Sequence, residues 1–165
     1  MSTDPIEPLG RITPFLWFDS RAEEAAHFYA SIFPDSRVDR VIRYGKAGPG
    51  PEGSVMTVDF RLQGQRFVAL NGGPIYSFTP AVSFVVNCQT QEEIDKYWDE
   101  LAVGGSHQPC GWLTDKYGLS WQIVPTILAD LMARDDEGAA RTTEAMLRMG
   151  KLMIADLRQA YESAG

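Results

Sequence analysis

"ITPFLWFDSRAEEAAHFYASIFP", residues 12–34, reads as a strand running into a helix. The apolar run 12–18 has strand length, and helical spacing begins after it. Asp19 or Ser20 is placed to cap the helix, and Glu23 and Glu24 fall in its first turn, where carboxylates meet the positive end of the helix dipole. Ala22, Ala25, Phe28 (or Tyr29) and Ile32 form an apolar stripe, and Pro34 ends it. Strand-like runs follow at 36–44, 54–62 and 65–71. The Gly/Pro-rich stretch "GKAGPGPEG" (45–53) joins the first two of them, as a plain hairpin loop or as a lid with glycine hinges. A tight turn at Gln63-Gly64 joins the last two.

The order then repeats. "AVSFVVNC" (81–88) reads as a strand and "TQEEIDKYWDELAVGG" (90–105) as a helix. Thr90 and Glu93 have capping-box spacing, and Gly104-Gly105 supplies a stop. "SHQPC", "GWLTD" and "LSWQIV" read as strands, the last two joined at the turn Lys116-Tyr117-Gly118. At an offset of 69 residues Phe15 meets Phe84, Leu16 meets Val85, Glu23 and Glu24 meet Glu92 and Glu93, and Ile32 meets Leu101. Near each module's end the offset is 54, so that Gly64 meets Gly118, Phe67 meets Trp121 and Leu70 meets Val124. The expected architecture is α+β: two βαβββ modules (11–71 and 81–124), a linker at 72–80 and a helical tail over 126–162, in a single domain spanning 1–165.

Acidic residues outnumber basic ones 22 to 15, for a net charge of −7, which argues against a general nucleic-acid binder. No apolar run approaches the ~18 residues of a membrane helix, so no membrane partner is expected. "MSTDPIEPLGR" (1–11) has no apolar signal core, so a cytoplasmic location and reduced thiols at Cys88 and Cys110 are expected. No CxxC or HxxxH spacing marks a zinc site.

The stretches "ITPFLWFDSRAEEAAHFYASIFPDSRV", "FVALNGGP", "SFVVNCQTQEEIDKYWDEL" and "CGWLTDKYGLSWQIVP" resemble the PhnB-like family, also called 3-demethylubiquinone-9 3-methyltransferase-like. That family is part of the vicinal-oxygen-chelate superfamily of glyoxalase I, bleomycin-resistance proteins and extradiol dioxygenases. The tail "AARTTEAMLRMGKLMIADLRQAY" resembles it too. The resemblance implies a glyoxalase-like pair of half-barrels and a homodimer. It also implies a cleft in which His, Glu, His (or Gln) and Glu hold a divalent metal. Carried over by position, these fall on Thr13, Val68, Ala81 or Val82, and Gln122. None is a histidine or a carboxylate, so no metal and no cofactor are expected, with His107 and Cys110 as the alternative metal ligands. Methyl transfer from S-adenosylmethionine calls for a glycine-rich turn between a strand and a helix. "GKAGPGPEG" joins two strands and "GGP" (72–74) opens the linker, so methyl transfer is not expected.

Strand alternation directs Thr13, Phe15 and Trp17 toward the cleft of the resembled fold, with Leu16 and Phe18 under the helix. In the last strand Leu119, Trp121 and Ile123 share one face, and Ser120, Gln122 and Val124 the other. Trp121 is expected in the core. Gln122 is either a ligand contact or a structural hydrogen bond across the two modules. Cys110 is either a nucleophile, with His107 three residues away, or a small buried hydrophobe. His27 is expected on the surface. Met146, Met149, Met153, Leu157 and Tyr161 form a stripe that packs on the chain's own body or on a second subunit. Three functions stay open. The first is a metal-free binder of a small organic molecule, with Thr13, Phe15, Trp17, Cys110, Trp112 and Gln122 as its contacts. The second is an enzyme on a small aromatic or oxygenated metabolite, a lyase or dioxygenase, using Gln122, Cys110 or His107. The third is an interaction module served by the tail.

Overall fold

The structure is a computed structural model and describes residues 10–134 and 136–163. The stretch 1–9, read above against a signal peptide, lies outside the described residues. The chain divides into two compact units, one ending at Ser77 and the other beginning at Phe78. Among the described residues no helix is long and apolar enough to cross a membrane.

The first unit holds β1 (Phe15–Phe18), α1 (Ala22–Ile32), β2 (Arg37–Arg43), β3 (Val55–Leu62) and β4 (Gln65–Asn71). Its sheet has the order β1-β4-β3-β2, with β1 parallel to β4 and the other pairs antiparallel. Helix α1 covers one face, with Ala22, Ala25, Ala26, Tyr29 and Ile32 buried. Small alanine side chains bring the helix backbone close to the strands. Tyr29, rather than Phe28, reaches the core, where its ring stacks on Phe60 and Phe60 stacks on Phe67. Leu16 and Phe18 are buried beneath the helix, as alternation predicts.

The N-terminus of α1 departs from the sequence reading. Neither Asp19 nor Ser20 caps it. The residue before its first turn is Arg21, whose side chain makes no cap, and the Ala22 N–H donates to Asn71 Oδ1 at 2.8 Å. Asn71 stands beside Phe18 in the parallel pairing, which carries its amide to the mouth of the helix.

The second unit repeats the topology with β5 (Ser83–Cys88), α2 (Gln91–Leu101), β6 (Ser106–His107), β7 (Trp112–Thr114) and β8 (Ser120–Pro125), in the order β5-β8-β7-β6. Both halves of the Thr90–Glu93 capping box form. Helix α2 ends at Leu101, ahead of Gly104-Gly105. Gly105 is needed for a close approach, because a Cβ there would stand 2.0 Å from the Thr114 carbonyl oxygen.

Register corrects the offset of the first strands. Leu16 pairs with Ala69, and Val86 pairs with Ile123. Ala69 and Ile123 are equivalent at the offset of 54, so Leu16 corresponds to Val86, an offset of 70 rather than 69. The helices keep the offset of 69, starting at Ala22 and Gln91. The link from β5 to α2 is therefore one residue shorter than that from β1 to α1. Phe15 and Phe84, which match in sequence, fall on opposite faces. Phe84 lies 5.6 Å from Trp121 on the helix side, whereas Phe15 is 58% exposed.

The tail is three helices, α3 (Ile127–Met132), α4 (Glu137–Leu147) and α5 (Ile154–Glu162). Leu128, Leu152 and Leu157 form a buried cluster, with Val124, Leu131, Met146 and Met149 packed against it. Met146 and Met149 thus pack within their own unit. The segment between α4 and α5 is tied down by Cys110 N–H to Met149 O and Gly111 N–H to Gly150 O, both 2.8 Å. This also corrects the reading of "SHQPC" as a strand. Only Ser106–His107 is strand, while Cys110 (φ 62°) and Gly111 (φ 79°) form a turn closed by Trp112 N–H to Pro109 O.

Candidate functional site

In the second unit α2 covers the face of the sheet that carries Trp121 and Ile123, both buried. Trp121 Nε1 donates to Asp115 Oδ2 at 2.9 Å. Asp115 is 3% exposed and also accepts the N–H groups of Tyr117 and Leu119. This hairpin therefore serves the core, and its acid is committed to holding the turn.

The opposite face carries Gln122 with Trp112 and Val85 as its register partners. Gln122 Nε2 donates to Ser83 Oγ at 2.9 Å. The bond that Gln122 makes thus lies inside its own sheet, and is not the bond across the two modules that was the structural alternative. Ser83 is the residue that sequence reading missed. The shorter β5–α2 link hid it: at the corrected offset of 70, the position equivalent to Thr13 is Ser83, not Ala81 or Val82. The positions to which the resemblance assigned metal ligands become Thr13, Val68, Ser83 and Gln122, two hydroxyls, an isopropyl group and an amide. These residues do not fit a divalent transition metal, which prefers imidazole, thiolate or carboxylate. Among the described residues no group of three or more His, Cys, Asp or Glu side chains could hold one.

The other chemical candidates of this unit have structural duties. The His107 ring stacks on Trp98 at 4.3 Å between centroids and 1° between planes, and its Nε2 lies 2.9 Å from Trp98 O. No hydrogen bond joins His107 to Cys110 among the described residues. Cys110 is half-buried, and its backbone N–H anchors the tail. Burial, with Glu93 adding to it, pushes the Cys88 thiol up to about 12.

In the first unit Thr13 lies just before β1, and its hydroxyl donates to Gly10 O at 3.1 Å. Trp17 is half-buried against its own chain. Its Nε1 donates to Gly73 O at 2.9 Å, and its ring meets the edge of Tyr76 at 5.0 Å. Gly72 makes room for it, since a Cβ there would stand 2.3 Å from the indole. Further along the sheet Arg40 Nη2 donates to the buried Asp59 at 2.7 Å, with Arg66 Nη2 at 3.6 Å from the same oxygen. A cavity of 310 Å³ lies at the start of α1, among Asp19, Ser20, Tyr44, Gly50, Asn71 and Gly72. The loop 45–53 forms one wall of it and is fastened at its base by Tyr44 N–H to Ser54 O and Gly53 N–H to Tyr44 O. The His27 side chain is on the surface.

A sequence model of the 3-demethylubiquinone-9 3-methyltransferase family matches residues 10–124. The chain belongs to this family. The 3-demethylubiquinone-9 3-methyltransferase match takes in both modules and every candidate contact from Thr13 to Gln122, and ends before α3. The chain is similar to the PhnB protein of Bacillus cereus, with 40% identity over 71% of this chain and 100% of that one and a TM-score of 0.65. Two further structures share the fold at low identity. Protein PA1353 of Pseudomonas aeruginosa has 20% identity over 70% of this chain and 97% of that one, with a TM-score of 0.59. The fosfomycin resistance protein FosX of Mesorhizobium loti has 13% identity over 76% and 98%, with a TM-score of 0.54. No curated protein matches the chain. The family's description names methyl transfer, but the strand-to-helix links Asp19-Ser20-Arg21 and Gln89-Thr90 contain no glycine. These residues do not fit the glycine-rich cradle by which a sheet-borne S-adenosylmethionine site is recognised.

Proposed function

We propose that this protein binds a small organic molecule, without a metal, on the sheet face that carries Trp112, Gln122 and Ser83. The observation that supports the reading best is the Gln122–Ser83 hydrogen bond. It places a fixed amide and a hydroxyl beside an indole on a face with apolar neighbours, the few-polar-groups pattern of ligand sites. Within the first unit, exposed Phe15 with Trp17 and Thr13 is proposed as a separate contact surface, and within the second unit Cys110 is a secondary contact. Against the enzyme reading, the sheet face around Gln122 carries amides, hydroxyls and apolar side chains, and no hydrogen bond joins the Cys110 thiol to a base among the described residues. On the family resemblance we also propose a homodimer, which sedimentation equilibrium checks.

Thermal-shift screening of a small-molecule set against the wild type, Trp112→Ala and Gln122→Ala tests the reading. It predicts compounds that raise the wild-type Tm and lose that shift in both variants. Shifts that survive both substitutions contradict it.

A further inference from the structure

The face around Gln122 carries a second pattern. Ser83 pairs in register with Ser120, Ser120 with Thr114, and Thr114 with Ser106. One row of hydroxyls therefore crosses all four strands, since register partners point to the same side of a sheet. Ser83 Oγ is held by Gln122, and Thr114 Oγ1 accepts from Gln108 Nε2 at 2.7 Å. Ser120 stands between them, 1% exposed, and its Oγ has no hydrogen-bond partner among the described residues. A buried hydroxyl without a partner is uncommon, and an oxygen seated beside it would supply the missing hydrogen bond. No Asp, Glu, Lys, Arg or His stands on this face of β5 to β8. The next row places Trp112 beside Gln122, and no hydrogen bond engages the Trp112 indole among the described residues.

We propose that this face recognises the uncharged, oxygen-bearing end of a flat ligand. A ligand hydroxyl or carbonyl meets Ser120 next to the Ser83–Gln122 pair, and the ring lies along Trp112. The inference rests on the small-molecule reading above and adds the class of ligand. Hydroxyls and amides both donate and accept, so they suit a neutral oxygen of either kind. A carboxylate or an ammonium meets no counter-charge here and loses its hydration on entering.

Three probes that share a benzene ring separate the possibilities: resorcinol, benzoate and benzylamine, each titrated into the full chain. The readout is the Trp112 indole N–H resonance, identified from the spectrum of Trp112→Phe. Resorcinol is expected to shift it saturably, and Ser120→Ala to weaken that binding about fivefold or more. Ser83→Ala serves as a second variant with the same expected direction. The Tm of unliganded Ser120→Ala is expected to match or exceed the wild type, because the substitution removes an unpaired buried group. Tighter binding of benzoate or benzylamine at that indole overturns the uncharged class and leaves the small-molecule reading standing. Resorcinol binding that neither serine variant changes overturns the role of the hydroxyl row. Failure of all three probes to move the indole overturns both.

Discussion

Asn71 Oδ1 accepts the backbone N–H of Ala22 at 2.8 Å, so the last residue of β4 caps a helix 49 positions earlier in the chain. The same side chain donates from Nδ2 to Val55 O at 3.2 Å, and the Asn71 carbonyl accepts the Tyr44 hydroxyl at 2.7 Å. One residue thus joins α1, β3 and the base of the loop 45–53.

Asn71→Ala should therefore cost about 2 kcal/mol or more of stability, a lost cap plus a lost bond to β3. Asp19→Ala and Ser20→Ala, the caps expected from the sequence, should change it by less than about 0.5 kcal/mol. Urea unfolding of the three variants checks the contrast. Equal losses for all three would mean that the cap is local after all.

Gly72 and Trp17 should be coupled. A Cβ at residue 72 would stand 2.3 Å from the indole, so Gly72→Ala should cost about 1–3 kcal/mol. In a Trp17→Ala background the penalty should largely vanish. A double-mutant cycle in denaturant reads the coupling directly.

Asp115 holds three donors from a buried position, the N–H groups of Tyr117 and Leu119 and the indole of Trp121. Asp115→Ala should destabilise by about 3 kcal/mol, since it leaves these donors unpaired. The near-UV circular dichroism band of Trp121 should weaken with it.

Cys88 keeps its proton in the folded state up to about 12, whereas in the unfolded chain it ionises near the ordinary thiol value. The unfolded state therefore binds fewer protons between those two values, and stability falls as pH rises through that window. Below it the thiol is neutral in both states and contributes no pH dependence. Alkylation with iodoacetamide at pH 8 should label Cys110 well before Cys88, and mass spectrometry of the digested protein settles the order.

The modules, their element order, the Thr90–Glu93 capping box and the alternation that buries Leu16, Phe18 and Trp121 were all legible in the sequence. Each depends on residues a few positions apart. The cap of α1 was not legible, because its acceptor lies on a strand that only the parallel β1–β4 pairing brings near. Ser83 was missed because the Phe15–Phe84 identity favoured the offset of 69, and a link shortened by one residue leaves no mark in composition. Cys110 looked like a strand residue because a left-handed conformation at a non-glycine residue has no local signature here. His107, the alternative metal ligand beside Cys110, has its ring stacked on Trp98 of α2, a contact between residues nine positions apart that no local spacing announces.

Metal content is the most direct test of a site that takes an organic molecule through Gln122, Ser83 and Trp112 without a metal. Untagged protein purified without chelator would be assayed by elemental analysis against a known protein concentration. The account predicts zinc, iron, manganese and nickel far below one atom per chain. A stoichiometric amount of any of them, lost in Gln122→Ala, would contradict it.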